Sequence, residues 1–300
     1  MRIGVDLGGT KIEAIALDDA GELLLRRRVP TPHDYAATIS AIAELVEGFE
    51  RELGWQDTRV GIGTPGAVSP VTGLMKNCNS VWLNQKPLWR DLGARLGRPL
   101  RLANDANCFA LSEARDGAAA GARGVFGVIV GTGTGGGVVI DGRIWNGANA
   151  IAGEWGHNPL PWPQGSELGG PGCWCGQTGC IELYLSGPGL ARDHQAATGD
   201  ELAPADIAAR ADQGDPAAEA TLRRYEDRMA RALATVINLL DPDVIVLGGG
   251  LSKMARLYTN VPPLLGRHVF SDQVQTRLLP PRHGDASGVR GAAWLWDSAP

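Results

Sequence analysis

Three cysteines and a histidine are grouped in residues 154–182, and their side chains are of the kinds that bind zinc. Cys173, Cys175 and Cys180 lie within eight residues, and His157 precedes them. Zn²⁺ prefers thiolate and imidazole ligands, and three cysteines with one histidine fill its four tetrahedral positions. This grouping predicts a closed structural zinc site.

Two other features of the same stretch bear on this site. Gly176 and Gly179 can take positive φ angles, which other residues disfavour, and this would let the chain turn so that the thiols face one ion. The carboxylates of Glu154 and Glu182 flank the cluster. We expect the ion to fold this segment and to hold both carboxylates at the wall of a pocket.

Other interpretations of these side chains remain open. The cysteines could form disulfides or be buried thiols, and His157 could be a core histidine with its hydrogen bonds satisfied. Five cysteines cannot all pair within one chain. In a reducing compartment, clustered cysteines favour a metal site.

The composition is that of a globular protein without an electrostatic surface for nucleic acid. The 300 residues are 44% hydrophobic and 20% charged, with a net charge of -5, so we expect neither nucleic acid nor an anionic membrane as a partner. The sequence opens directly into a predicted strand, and its apolar runs are shorter than a membrane span requires. These features predict a cytoplasmic protein of one large or two moderate domains.

The first predicted strand ends in a glycine turn. Residues 2–7 are apolar and β-branched, Gly8, Gly9, Thr10 and Lys11 follow, and further strands are predicted at 12–17 and 22–29. Because glycine has no Cβ, we expect Gly8 and Gly9 to allow positive φ angles and close approach of an anion to the backbone. A plain β-turn is the alternative, since the spacing differs from that of a P-loop.

The same strand, turn and strand pattern occurs a second time. Strand 125–130 runs into the Gly/Thr-rich turn 131–137, and strand 138–140 follows. This repetition predicts two lobes with related cores, whose turns could clamp a polyphosphate through backbone N–H groups and Thr132. A third apolar strand, 244–247, ends in glycines at 248–250, which would let a flat ring lie against the backbone.

Asp105 lies where a predicted strand meets a predicted helix. A strand is predicted at 99–103, and a helix is expected from Asn104–Asp105 to about residue 115. An aspartate in this place is often only a helix N-cap. The polar segment 77–84 is predicted as a loop, which is where binding residues are common.

The remaining pattern predicts several helices and strands. The amphipathic spacing indicates helices at 35–53 and 89–96 and a long helix at 217–240, with a core-packing stripe on one face and arginines opposite. Strands are predicted at 60–63 and 275–279, short helices within 187–215 and a closing helix at 287–296.

These motifs together resemble the repressor/open-reading-frame/kinase (ROK) family of sugar kinases, over the whole chain. The motifs that carry the resemblance occur in order: residues 6–11, Asn104-Asp105, 131–133, Glu154-x-Gly156-His157, 173–182 and 248–250. The amino-acid sequences of residues 102–108, 156–162 and 283–296 are most similar to those of bacterial fructokinases of the manno(fructo)kinase type.

The resemblance implies an α/β fold, the two-lobed actin-like ATPase (ribonuclease H-like) fold, with the active site in the cleft between the lobes and a zinc-bound loop. Residues 1–116 plus 286–300 would form the small lobe. Residues 117–285 would form the large lobe with the zinc. Relatives are commonly homodimers, so a homodimer is expected.

The resemblance also implies a role for each motif. Asp105 would be the general base for the attacking sugar hydroxyl, and Asp6 would hold Mg²⁺ through water. His157 would bind zinc with one ring nitrogen and the sugar with the other. The groups that would bind ATP are Gly8, Gly9, Thr10, Lys11, Thr132, Gly133 and, near the adenosine, Gly249. The groups that would bind the sugar are Gly66, Asn79, Asn104, Glu154, His157 and Glu182. The metal ligands would be His157, Cys173, Cys175 and Cys180.

Two departures from the family pattern bear on the substrate. The loop between His157 and Cys173 is longer than in many relatives and could shape or cover the sugar site. Gln85 replaces a glycine that commonly follows the asparagine at the position of Asn84.

The expected activity is ATP-dependent phosphorylation of fructose, or of mannose, to the 6-phosphate. A kinase for glucose or an N-acetylhexosamine is the alternative. Another class is a sugar-sensing regulatory protein without catalysis, which the intact Asp105 and glycine turns argue against. A repressor of the family carries a DNA-binding segment before the kinase-like part, and the phosphate turn here begins at residue 6.

Overall fold

The computed structural model describes residues 1–297. The first part of the chain alternates strands with helices as the hydrophobic pattern predicts. Its elements are β1 (Arg2–Leu7), β2 (Lys11–Leu17), β3 (Leu23–Pro30), α1 (Tyr35–Leu53), β4 (Arg59–Thr64), β5 (Ala67–Val68), β6 (Met75–Lys76), α2 (Leu88–Leu96), β7 (Arg101–Asn104) and α3 (Asp105–Arg115).

The rest of the chain repeats the strand pattern and then becomes mainly helical. Its elements are β8 (Gly124–Val130), β9 (Thr134–Ile140), β10 (Arg143–Ile144), α4 (Glu182–Leu185), α5 (Gly187–Thr198), α6 (Pro204–Asp212), α7 (Pro216–Leu240), β11 (Val244–Gly248), α8 (Arg256–Asn260), α9 (Pro262–Leu265), β12 (Arg277–Leu279) and α10 (Ser287–Trp294). The turn after β8 is shorter than predicted, because β9 already begins at Thr134 within the glycine run.

The two main sheets have matching strand orders. The first is β3-β2-β1-β4-β7 and the second is β10-β9-β8-β11-β12. In the first sheet, β1 is antiparallel to β2 and parallel to β4. In the second, β10 is antiparallel to β9, and β8 is parallel to β11. The predicted duplication is therefore present in the topology of the two sheets.

The chain divides into two compact units. Unit 1 comprises residues 1–121, 137–152 and the chain from 285 onwards, and unit 2 comprises 122–136 and 153–284. The sequence placed 117–285 in one lobe, whereas the structure counts 137–152 with unit 1. The reason is local: β10 lies against α3, and Gly137 lies so close to the Ala106 carbonyl that a Cβ there would be 2.4 Å from its oxygen.

Helix α10 packs tightly in unit 1 because glycines leave room for it. A Cβ at Gly4 of β1 would lie 2.2 Å from the carbonyl oxygen of Val289, and one at Gly61 of β4 would lie 1.9 Å from that of Ala292. Gly291 of α10 is equally close to the Cys108 carbonyl of α3. The helix thus contacts β1, which ends near Asp6, and α3, which begins at Asp105.

Among residues 1–297, no helix combines the length and the apolar character needed to cross a bilayer.

Candidate active site

Asp105 is the first residue of α3 and is exposed. The N-cap position belongs to Asn104, whose side-chain oxygen accepts a hydrogen bond from the Ala106 N–H at 2.9 Å. The Oδ1 atom of Asp105 also accepts from that N–H, at 2.7 Å. The amide nitrogen of Asn104 donates to the Gly66 carbonyl at 3.2 Å, so the structure brings three of the predicted site residues together.

Gly66 has a backbone conformation that requires glycine. Its φ is +68°, and a Cβ would lie 2.2 Å from the Lys76 carbonyl oxygen. The residue follows β4 and precedes the short β5, where the chain turns sharply. Its carbonyl is therefore held in a fixed place to accept the hydrogen bond from Asn104.

Asp6 lies at the end of β1 and is held in an environment that disfavours its charge. The pKa of its carboxyl group is raised to about 7, mainly by burial and also by the charges of Asp105 and Glu13, against the opposing charge of Lys11. Carboxylate oxygens such as those of Asp6 and Asp105 are among the ligands that Mg²⁺ prefers. The residues present therefore fit Mg²⁺.

The turn from Gly8 to Lys11 is a tight hairpin. Its N–H···O bond from Gly8 to the Lys11 carbonyl is 3.0 Å long, and Thr31 donates its hydroxyl to the Gly8 carbonyl at 2.7 Å. The expectation of positive φ at Gly8 and Gly9 is wrong, since neither residue has one. Gly8 is instead required by close approach, because a Cβ would lie 2.9 Å from the Lys11 carbonyl oxygen. Gly9 and Thr10 are exposed at the tip.

The polar loop 77–84 is closed by Asn84. Its side-chain amide accepts from the Cys78 N–H and donates to the Cys78 carbonyl, both at 2.9 Å. Asn79, an exposed residue, is thereby held in a fixed loop next to Cys78. Gln85, the departure from the family pattern, has φ +62°, a conformation that favours glycine.

The metal quartet in unit 2 is gathered as the sequence predicts. The ligand atoms of His157, Cys173, Cys175 and Cys180 all lie within 4.8 Å of one another. The Nδ1 atom of His157 is 3.7 Å from the Cys173 Sγ, and the Sγ atoms of Cys175 and Cys180 are 3.6 Å apart. A tetrahedral site with Zn–S bonds of about 2.3 Å has edges of roughly 3.7 Å, so the geometry fits zinc.

The backbone conformation and the free thiols around this quartet are also consistent with a zinc site. Gly176 and Gly179 have φ of +90° and +69°, as expected for the turns that bring the cysteines together. All five cysteines of the chain carry free thiols. Burial and the neighbouring thiols raise the pKa of Cys180 to about 12, and a divalent cation is what would keep this thiol deprotonated at neutral pH.

Glu182 begins α4, and both of its carboxylate oxygens accept hydrogen bonds. Oε2 accepts from the Thr134 N–H at 2.9 Å, and Oε1 accepts from the indole N–H of Trp174 at 3.0 Å. A Cβ at Gly133 would lie 2.7 Å from Oε2, so a larger residue there would displace the Glu182 carboxylate. Glu182 thus joins the predicted zinc loop to the turn after β8.

Glu154 precedes, and His157 ends, a short 3₁₀ turn (Trp155–His157) that is fixed to β9. Trp155 of this turn is buried and donates its indole N–H to the Gly135 carbonyl at 3.0 Å. A Cβ at Gly156 would lie 2.0 Å from the Thr134 carbonyl oxygen. Glu154 is exposed, and His157 is partly exposed with Nδ1 towards the cysteines, which leaves Nε2 for another partner.

The turn after β8 and the glycines after β11 line a cavity in unit 2. Its volume is about 470 Å³, and it is lined by Gly131, Thr132, Gly187, Pro188, Ala191, Pro204, Gly250 and Leu251. Gly249, next to this wall, has φ +81°, and a Cβ there would lie 2.4 Å from the Val130 carbonyl oxygen. The walls are mostly small and apolar, as expected for a surface that receives a flat ring.

The loop between His157 and Cys173 is anchored by a buried ion-pair network that the sequence analysis missed. Oε1 of Glu167 accepts from Arg228 Nε at 2.7 Å and from Arg231 Nη2 at 2.9 Å. Arg231 also donates to the carbonyls of Pro161 and Trp162. Predicting arginines on the outer face of α7 was wrong for these two, which are 4% and 1% exposed.

Comparison with known proteins gives full-length matches. The N-acetyl-D-glucosamine kinase of Salmonella newport is 43% identical over 300 residues, covering 98% of this chain and 99% of that protein. A ROK hexokinase from Thermus thermophilus matches with a TM-score of 0.86 at 35% identity, covering 98% of this chain and 97% of that one. A ROK family glucokinase from Streptomyces griseus, solved with glucose and AMPPNP, matches with a TM-score of 0.78 at 30% identity and 98% coverage of both chains.

The profile of the ROK family matches residues 2–299, nearly the entire sequence. Together with the structural matches, it confirms the α/β actin-like ATPase fold that the motifs implied. The chain therefore belongs to the ROK family.

Proposed function

We propose that this protein is an ATP-dependent sugar kinase whose preferred substrate is N-acetylglucosamine, which it phosphorylates on the primary hydroxyl. The observation that carries the substrate is the 43% identity, over 98% of the chain, to N-acetyl-D-glucosamine kinases. The hexokinase and glucokinase relatives support the coarser assignment to sugar kinases. Glucose and N-acetylglucosamine share ring stereochemistry, differing at one substituent.

In this proposal Asp105 is the general base. Its exposed carboxylate accepts the proton of the sugar hydroxyl while the hydroxyl oxygen bonds to the γ-phosphorus and the bond to the β,γ-bridging oxygen breaks. Asn104 and the Gly66 carbonyl, which it bonds, bind sugar hydroxyls together with Asn79. Phosphoryl transfer depends mainly on positioning and charge stabilisation, which suits a base fixed at a helix terminus.

The nucleotide and its cation are assigned to the glycine turns and Asp6. Gly8, Gly9, Thr10 and Lys11 bind phosphates through backbone N–H groups and side chains, as do Thr132 and Gly133. Gly249 lies near the adenosine. Asp6 would hold Mg²⁺, which would supply neutralisation of the phosphate charge.

The zinc quartet has an architectural role in this proposal. His157, Cys173, Cys175 and Cys180 hold the ion, which supplies no chemistry to the transfer. It folds the loop so that Glu154, Glu182 and the remaining ring nitrogen of His157 can bind sugar hydroxyls. Carboxylates suit this task because they accept hydrogen bonds from neighbouring hydroxyl donors.

A panel of sugars tests the substrate. ATP consumption is measured with Mg²⁺ and N-acetylglucosamine, N-acetylmannosamine, glucose, mannose or fructose, and kcat/KM is compared. The highest value is expected for N-acetylglucosamine. A clear preference for fructose or mannose would instead support the fructokinase-like substrate that the sequences of residues 102–108 and 156–162 indicate. Turnover of none of these sugars would contradict the kinase assignment.

A further inference from the structure

Trp174 contacts Glu182 and His157, the side chains of which bind sugar hydroxyls in the proposed function. Its indole N–H donates to Glu182 Oε1 at 3.0 Å. Its ring packs against the imidazole of His157 in a T-shaped arrangement, with ring centroids 4.8 Å apart and planes at 88°. Trp174 has no role among the sequence-based predictions, because a residue between two metal ligands carries no pattern of its own.

Burial does not account for this placement. The Trp174 side chain is 73% exposed, so little apolar area is removed from water by its conformation. Its backbone is fixed instead by the turn around it, in which the Cys173 N–H donates to the Gln177 carbonyl at 2.7 Å and the Gly176 N–H donates to the Cys173 carbonyl at 3.0 Å. The loop therefore presents the indole, and the two directional contacts are what orient it.

The Glu182 carboxylate is held from two sides. The Thr134 N–H binds Oε2 and the Trp174 N–H binds Oε1, so rotation of the carboxylate group would break one bond or both. Hydrogen bonds to a charged acceptor are stronger than neutral ones. Each oxygen still has a lone pair, because a carboxylate accepts about four hydrogen bonds in total. The orientation is fixed while acceptor capacity for a ligand remains.

We propose that Trp174 is a positioning residue of the sugar site, which orients the Glu182 carboxylate through its N–H and the His157 imidazole through its ring. This inference rests on the proposed function, in which both partners bind the sugar. Trp174 acts through them and takes no part in the transfer of the phosphoryl group. Its loss weakens sugar binding and leaves the nucleotide and the chemical step largely unaffected.

Trp174→Phe is the sharpest variant, because phenylalanine keeps an aromatic ring beside His157 and removes the N–H to Glu182. We expect KM and the calorimetric Kd for the sugar to rise about tenfold, which corresponds to one hydrogen bond to a charged group. The KM for ATP and kcat should stay within about twofold of wild type. Trp174→Ala should raise the sugar KM further, because it also removes the contact with His157.

The control is Trp89→Phe, an exposed tryptophan of α2 in unit 1, which should leave all constants unchanged. Zinc content and Tm are measured for every variant, because a structural role would show there. Trp174→Phe with wild-type sugar affinity, or with its zinc lost, overturns the inference. In that case wild-type turnover of the sugar panel still stands, so the two proposals fail separately. If the wild-type protein neither turns over nor binds a sugar, both fall.

Discussion

The side-chain amide of Asn104 joins the end of β7 to the turn at Gly66. Its nitrogen donates to the Gly66 carbonyl at 3.2 Å, and its oxygen accepts from the Ala106 N–H at 2.9 Å. The helix cap is therefore supplied by Asn104, and Asp105 occupies the first helical position. This arrangement weakens the interpretation of Asp105 as merely a capping residue.

Asp105→Asn should retain the fold and lose turnover. The amide is isosteric with the carboxylate and cannot accept the hydroxyl proton, so kcat should fall by about 10²–10⁴-fold, the usual contribution of a general base. Sugar Kd by calorimetry should change only a few-fold. Asp206→Asn is the matched control, because Asp206 is also an exposed aspartate in the first turn of a helix. A variant with near-normal kcat would remove Asp105 from the role of base.

The longer strands, the main helices and the metal quartet could be predicted because each depends on residues close in sequence, whereas the two-residue strands β5, β6 and β10 were not predicted. Helix α1 begins and ends at the predicted residues, since Asp34 caps it and Gly54 closes it in a left-handed conformation. The gathering of Cys173, Cys175 and Cys180 follows from spacing and from two glycines. Local pattern and local chemistry agree at these places.

The contacts that anchor the site could not be predicted, because their partners are distant in sequence. Glu167 and Arg231 are separated by 64 positions, and arginines on an amphipathic helix are ordinarily solvated. A buried pair of this kind is stable only when several hydrogen bonds satisfy both charges, which periodicity does not reveal. Likewise, the bond between Thr134 and Glu182 depends on the fold of the whole metal loop.

Removal of one metal ligand should unfold the loop that holds Glu182 and His157. Cys175→Ser leaves three good ligands, so we expect zinc content to fall from about one per chain towards zero and the Tm to fall with it, because binding energy at a structural site is also folding energy. Cys108→Ala, at a buried cysteine outside the quartet, should keep its zinc. Metal analysis by mass spectrometry decides, and a folded, active wild-type sample without zinc would refute the site.

Asp6 should make stability depend on pH in a direction opposite to that of an ion-paired carboxylate. Its folded pKa of about 7 exceeds the ordinary value of 3.8, so the folded chain holds the proton more tightly than the unfolded chain. The resulting stabilisation is complete below about pH 3.8 and is lost as the pH rises through 7.

The variant Asp6→Asn lacks this titration. In magnesium-free buffer its Tm, relative to wild type at the same pH, should increase from pH 4.5 to pH 8. Asp272→Asn, at an exposed position, should give a difference that does not change with pH. A constant difference for Asp6→Asn as well would show that the raised pKa is wrong.

The cavity beside Gly249 should accept nucleotide bases with little discrimination. Among its lining residues, Thr132 supplies the polar side chain, and Pro188 and Pro204 have no N–H group. The Gly187 N–H already donates to the Gly131 carbonyl at 2.7 Å, and the Gly131 N–H already donates to the Gly133 carbonyl at 2.9 Å. Such walls recognise shape and apolar area, and apolar pockets distinguish related ligands by only about 10²-fold.

With the best sugar held at saturation, kcat/KM for GTP and ITP should therefore lie within about 100-fold of that for ATP. Ala191→Leu narrows the cavity and should raise the KM of all three nucleotides while leaving the Kd of the sugar unchanged. If ATP is instead preferred by a thousandfold or more, a polar group must read the base edge, and the base then lies outside this cavity. If Ala191→Leu weakens sugar binding by the same factor as it raises the nucleotide KM values, the cavity does not belong to the nucleotide site.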